Sequence, residues 1–336
     1  MTVNRRIFLA TTAATALAVP ALGQTDQWDG VADAAAGLPQ CRALMIHQSS
    51  QRVLAHVFRG PAMDRAVPIK SVSKTIVAAL TGAALDRGEL RSLDDPIGVV
   101  APALIPRRAD PRVAELTIAD LVTMQAGLER TSGANYGAWV SSSDWVADAL
   151  SRPFVAEPGS RMLYSTGSFH ILGAILAEIA GQDLLSLARR RLGVPLGIEI
   201  PAWTRDPQGR YMGGNEMALT LEAMVRFGEM YRQSGQFGGQ QVLSPAWVAK
   251  SFTPRTRSLF SGLKYGYGWF LGESGGIGYA LARGYGGQII CVAPQIELTL
   301  ALTSDPTLPA RTGGYFGDLM RLIEGRILPV AKSQIA

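Results

Sequence analysis

Histidine is scarce in this chain. Among 336 residues only His47, His56 and His170 carry an imidazole, and His47 and His56 fall within predicted strands, where they read as structural. No histidine/carboxylate spacing suggests a zinc site, and no glycine-rich loop opens a helix for a nucleotide, so no metal or other cofactor is expected. Gly272-Glu273-Ser274-Gly275-Gly276 matches the nucleophile-elbow pattern. That elbow requires a helix after its serine and a histidine later in the chain. Here glycines and a strand follow Ser274, and no histidine does. A His, Asp, Ser order drawing on His47 or His56 stays formally open.

Cysteine is scarcer still. Cys41 and Cys291 both fall in predicted buried strands and read as free thiols. Charged residues make up 18% of the chain, the net charge is +5, and lysine is limited to Lys70, Lys74, Lys250, Lys264 and Lys332. No basic run is long enough for nucleic acid; Arg189-Arg190-Arg191 closes a predicted helix, where cations are favourable. Beyond the first 23 residues no apolar run approaches the ~20 residues needed to span a bilayer. Internal repeats and low-complexity tracts are absent as well. What is present is 47% hydrophobic residues, enough for a compact folded core.

The first 23 residues read as an export signal. Asn4-Arg5-Arg6-Ile7-Phe8-Leu9 is similar to a twin-arginine motif, a moderately apolar stretch runs from Ala10 to Val19, and Ala21-Leu22-Gly23 supplies the small residues a signal peptidase needs. The mature chain is expected to start at Gln24 and to work outside the cytoplasm, in the periplasm. Residues 24–336 form one domain in this reading. After a polar leading segment, Cys41–His47 and Arg52–Phe58 read as a hairpin. From there to about residue 250 the signals are helical. They include the Thr117/Asp120 capping pattern, an apolar helix from Phe169 to Ala180 ending at Gly181, another over Thr220–Tyr231, and a start at Ser244-Pro245. Strands return at Tyr265–Leu271, Tyr279–Tyr285, Gln288–Val292 and Ile296–Thr303, and a helix near Tyr315–Glu324 closes the chain. The predicted fold is α+β: one antiparallel sheet (about 40–60 and 255–326) flanked by helices, with an inserted all-helical lobe (about 61–254). A site is expected in the cleft between the lobes.

Ser71-Val72-Ser73-Lys74 opens a helix rich in small and apolar residues. The spacing places Ser71 at the helix start and Lys74 one turn later on the same face. A serine hydroxyl needs a neighbouring base, and a lysine whose pKa falls well below about 10.4 through burial or nearby cations can be that base. Ser261-Gly262-Leu263-Lys264 repeats the spacing, but in a glycine-rich strand where the two side chains do not share a face. Tyr164 follows a polar Pro-Gly loop and precedes an apolar helix. Close to two cations, its phenol would have a depressed pKa and exchange protons with Ser71.

Taken in order, Ser71-Val72-Ser73-Lys74, Tyr164-Ser165-Thr166 and the glycine-rich turn at Tyr285-Gly286-Gly287 resemble the three motifs of the serine β-lactamase and penicillin-binding-protein superfamily. Leu93-Asp94-Asp95-Pro96, Pro158-Gly159, Leu172-Gly173 and Pro195-Leu196-Gly197 fit its class C-like and esterase branch. Tyr267-Gly268-Trp269 and Gly284-Tyr285-Gly286-Gly287-Gln288 resemble 6-aminohexanoate-dimer hydrolases. The resemblance spans roughly residues 40 to 325. It implies a β-lactamase/transpeptidase-like fold and an acyl-enzyme on Ser71. Lys74 and Tyr164 would share its proton, and the backbone N–H groups of Ser71 and Gln288 would form the oxyanion hole. Thr166, Trp269, Arg283, Tyr285, Gly286 and Gly287 are the candidate substrate contacts, with Tyr267 and Trp269 giving the cleft an aromatic wall. Two departures bear on substrate: Thr166 stands where the family often has asparagine, and Tyr285 where it has lysine or histidine. Tyr285 supplies no charge for a β-lactam carboxylate, although Arg283 shares its strand face. The expected partner is a small neutral ester or amide. A β-lactamase or D-alanyl peptidase of the same superfamily is one alternative, and a catalytically silent peptidoglycan-binding protein is another.

Overall fold

The two ends of the chain meet in one sheet. The computed structural model describes residues 22–335, so the expected export signal lies outside the described residues except for Leu22 and Gly23. Strands β1 (Cys41–Gln48) and β2 (Gln51–Val57) form a hairpin whose turn, Ser49-Ser50, is left-handed at both residues. After a long insertion come β3 (Thr256–Arg257), β4 (Lys264–Tyr265), β5 (Phe270–Ser274), β6 (Ile277–Gly284), β7 (Gln288–Ala293) and β8 (Leu298–Ser304). All neighbours are antiparallel, in the order β2-β1-β8-β7-β6-β5-β4-β3. Pairing of Cys41 with Ser304 and of Leu44 with Leu302 zips the first strand onto the last. That long-range ladder is what makes the middle of the chain an insertion.

Every residue of β7 and β8 is buried, which accounts for the apolar run Ile289–Ala293 and for threonine as the polar residue between the leucines of β8. Helix α1 (Leu22–Ala36) buries Trp28, Val31 and Ala35, a stripe too narrow to stand out in a segment that reads as polar. In the insertion, α2 (Val72–Asp86) and α3 (Thr166–Ala180) pack on each other, and α4 (Leu221–Arg232) packs on β1, β7 and β8. A Cβ on Gly228 of α4 would lie 2.6 Å from Thr299 and 3.0 Å from Ile290, so glycine permits this close contact. The opposite face carries Tyr279 and Arg283, which turn toward the C-terminal α5 (Tyr315–Leu322) and the turn after it. Local signals set several boundaries. Thr117 and Asp120 form a complete capping box, Thr220 and Ser244 cap their helices, and Gly181 ends α3 at φ 61°.

The single strand expected over Tyr265–Leu271 is instead two. Residues 266–269 leave the ladder and dock on α2. Gly268 has φ +81°, a Cβ there would sit 2.5 Å from that of Ala78, and Thr75 Oγ1 donates to the Gly268 carbonyl at 2.7 Å. Cys41 and Cys291 are buried free thiols in separate strands. No single helix among the described residues is long and apolar enough to cross a membrane.

Candidate active site

Helix α2 is apolar on nearly every face and is buried from Val72 to Ala84. A helix of that kind carries any polar residue into the interior with it. Lys74 is therefore only 2% exposed. Its Nζ lies 3.0 Å from Ser71 Oγ, 3.2 Å from Thr166 Oγ1 and 2.7 Å from the Gly214 carbonyl, and 4.9 Å above the Tyr164 ring. No carboxylate among the described residues pairs with it. Burial without a counter-ion disfavours the ammonium and pulls the Lys74 pKa from 10.5 to about 7. Ser71 sits at the mouth of α2 in helical conformation, and its side chain makes no cap bond. Lys70 before it is left-handed at φ 52°, a strained conformation at a site edge.

Tyr164 and Thr166 reach Ser71 and Lys74 because α3 is capped from a distance. Thr131 Oγ1 accepts from the Gly167 N–H at 2.7 Å, and Ser132 Oγ accepts from the Thr166 N–H at 2.8 Å. Ser132 and Thr166 hydroxyls also lie 2.9 Å apart. The expected depressed phenol is corrected. Burial raises the Tyr164 pKa, and this outweighs the opposing pull of the Ser71 hydroxyl and the Arg283 charge. Of the two side chains, Lys74 is the one whose environment favours a neutral base near neutral pH.

Ser71, Ser132, Tyr164 and Thr166 line a cleft of about 560 Å³. One wall is polar and includes Lys70, Arg130, Ser132, Tyr136, Asn215 and Glu216. Lys70 and Glu216 pair across it at 3.4 Å. The other wall is apolar, built from Phe260, Phe270, Tyr285, Pro306 and Ala310. Phe260 is 45% and Tyr285 53% exposed, and the Phe260 ring meets the Tyr164 ring edge-on at 5.4 Å. Arg283 also lines the cleft. Its guanidinium lies 3.3 Å over the Phe316 ring, its Nη1 has no hydrogen-bond partner among the described residues, and burial lowers its pKa to about 10.

Several expected contacts lie elsewhere. Trp269 is 0% exposed and packs on Tyr231, Phe227 and Phe252 beneath α2; Tyr267 stacks on Trp247. Neither forms a cleft wall, because the turn at Gly268 folds both aromatics into the core. Gln288 is buried at the first paired position of β7, and its side chain fastens the turn to Ser304. Gly286 and Gly287 pack against Asp305 and against Leu319 and Tyr315. The segment of this turn that does approach Ser71 is Gly284-Tyr285: a Cβ on Gly284 would lie 2.3 Å from the Ile69 carbonyl oxygen and 3.2 Å from Lys70 Cβ. Gly214 against Lys74, Ser132 against Thr166, Glu216 against Lys70 and Phe260 against Tyr164 escape sequence reasoning because each contact is made only through long-range folding. Ser274 sits at a hairpin end opposite Ile277, with no helix after it.

A family model described as Beta-lactamase matches residues 24–317. Penicillin-binding protein 4 of Amycolatopsis lactamdurans is 26% identical over 337 residues, covering 86% of this chain and 84% of its own. A Bacillus anthracis structure of the 6-aminohexanoate-dimer hydrolase type superposes with a TM-score of 0.74 at 16% identity, over 91% of this chain and 81% of that one. EstCE1, a hydrolase with promiscuous acyltransferase activity, gives 0.74 at 18% identity, over 90% and 98%.

Proposed function

The chain belongs to the beta-lactamase family of serine hydrolases, and from that premise we propose that it is exported and cleaves an ester or amide through an acyl-enzyme on Ser71. The observation that carries this reading is Lys74. A lysine with no carboxylate partner among the described residues and a pKa lowered to about 7 stands 3.0 Å from the hydroxyl of a serine that lines a cleft. Neutral Lys74 takes the Ser71 proton as Oγ attacks the substrate carbonyl. The resulting oxyanion is met by the backbone N–H of Ser71 and, in place of Gln288, that of Tyr285, next to the close approach at Gly284. The tetrahedral intermediate then collapses. The proton held by Lys74 passes through Tyr164, a phenol kept neutral by burial, to the leaving alcohol or amine. Water repeats the sequence in reverse roles, giving up its proton to Lys74 and releasing the acid from Ser71.

The apolar wall of Phe260, Tyr285, Pro306 and Ala310 suits a neutral, apolar group on the substrate. One observation favours a second reading. The incompletely bonded Arg283 guanidinium in the same cleft suits a carboxylate, as on a β-lactam or a peptide C-terminus. Export rests on the twin-arginine-like segment, and cleavage after Gly23 removes the first two residues of α1. A panel of p-nitrophenyl esters tests the enzyme reading. Turnover in the parent that disappears in Ser71→Ala is expected; a parent that binds penicillin reversibly without turning over any ester is instead a binding protein.

A further inference from the structure

The helical lobe holds a second hydrophobic cluster, separate from the main core and centred on Trp139, Trp145 and Met212. His170 is enclosed there with no exposed surface, its ring 5.8 Å from that of Trp139 and 5.5 Å from that of Trp145. A buried imidazole needs a partner for each nitrogen. The Gly213 N–H donates to Nδ1 at 3.3 Å. A nitrogen that accepts carries no proton, so the proton is on Nε2, which donates to Asp206 Oδ2 at 3.1 Å. Asp206 Oδ1 accepts from the backbone N–H groups of Gln208 and Arg210 at 2.9 and 2.7 Å. Burial alone would raise this carboxyl, but the His170 bond, the Arg210 N–H and the Arg210 charge outweigh it and hold Asp206 below the usual carboxylate range. An ionised Asp206 only accepts, and this fixes the tautomer of His170.

The consequence lies one residue beyond Gly213. The Gly214 carbonyl makes the shortest of the three Lys74 bonds, at 2.7 Å. This stretch of backbone is held residue by residue. Trp203 Nε1 donates to the Met212 carbonyl at 2.8 Å, His170 takes the Gly213 N–H, and a Cβ on Gly213 would lie 2.1 Å from the Phe169 carbonyl oxygen. His170 is also four residues after Thr166 on α3, one helical turn from the second Lys74 partner. A neutral amine has two N–H donors and one lone pair. With one N–H directed to Gly214 and the other to Thr166, the lone pair faces the Ser71 hydroxyl.

We infer that His170, locked in its Nε2–H tautomer by Asp206, is a positioning residue for Lys74. It fixes the Gly213-Gly214 backbone so that the Gly214 carbonyl takes one N–H and the Lys74 lone pair points at Ser71. The inference rests on the reading of Lys74 as the base.

Long-range ¹H–¹⁵N spectra of the parent read the tautomer directly; a proton on Nδ1 of His170 overturns the inference. Two replacements separate positioning from general packing. His170→Asn keeps an acceptor near Nδ1 for Gly213 and loses Asp206; His170→Gln reaches Asp206 and leaves Gly213 unpaired. With p-nitrophenyl butyrate, His170→Gln is expected to lower kcat roughly ten- to a hundredfold with KM little changed, and His170→Asn to keep most of the rate. Melting temperatures should fall in both. Asp206→Asn, which frees the ring to take the other tautomer, should resemble His170→Gln. Rates that follow the melting temperatures, or a His170→Gln protein as fast as the parent, overturn the inference while Ser71-dependent turnover in the parent leaves the base reading intact. A parent without Ser71-dependent turnover overturns both.

Discussion

Lys74→Met should stabilise the protein near neutral pH, by an amount that shrinks as pH rises. Burial lowers the native Lys74 pKa from 10.5 to about 7. Between those values the unfolded chain holds a proton that the native protein has released. Stability contributed through this group is therefore fully present above about 10.5 and is lost as pH falls toward 7. In that window parent stability rises with pH at up to ~1.36 kcal/mol per unit. Integrated from pH 7 to 9, with the native group half titrated at the lower end, the gain is about 2 kcal/mol. A methionine side chain at this position does not titrate and is close in shape to lysine, so the variant's stability carries no such slope. The buried thiols of Cys41 and Cys291, whose pKa values are raised, act in the opposite sense as the unfolded chain ionises. They are common to both proteins and cancel in the difference. Urea unfolding of parent and Lys74→Met at pH 7 and 9 gives that difference. Curves that stay parallel mean Lys74 is already charged, or not buried, in the native protein. A charged Lys74 cannot take a proton from Ser71.

Three further outcomes follow from the geometry. Lys74→Ala and Tyr164→Phe should each lower kcat/KM on an amide by on the order of 10²-fold or more, and the double variant should lose far less than the product of the two; fully multiplicative losses separate the residues. p-Nitrophenyl butyrate should be turned over better than nitrocefin, and whatever nitrocefin turnover exists should fall roughly ten- to a hundredfold in Arg283→Ala; nitrocefin as the preferred substrate of the parent would reverse the assignment of the apolar wall. Gly284→Ala places a Cβ 2.3 Å from the Ile69 carbonyl oxygen, and should cost about 1–3 kcal/mol of stability together with at least tenfold in kcat/KM; an unchanged rate would show that the Gly284-Tyr285 approach does not shape the site.

Much of the fold is legible in the sequence because its signals are local. The Thr117/Asp120 box, the caps at Thr220 and Ser244 and the left-handed Gly181 each act within one helical turn. The nearness of Ser71 and Lys74 follows from i, i+3 spacing on one helix. Tyr164 is reachable only through the order of three motifs, since no local rule brings residue 164 to residue 71. Its pKa moves opposite to expectation because proximity to cations is visible in a motif and burial is not. Trp269 and Tyr267 depart from expectation for a related reason: aromatics between glycines look alike whether the turn folds them outward or, as at Gly268, into the core. The close approach of Gly284 to Ile69 is not legible either, since a glycine pair marks a hairpin without saying which backbone segment meets the helix. His170 reads in sequence as one spare histidine among three. Its partners, Asp206 and Gly213, are 36 and 43 residues away.

The central claim is a covalent acyl-enzyme on Ser71, and intact-mass analysis after treatment with a fluorophosphonate addresses it most directly. The account predicts one adduct per chain, mapped to the peptide containing Ser71 and absent from Ser71→Ala. Labelling that persists in Ser71→Ala, or that maps to Ser274, contradicts it.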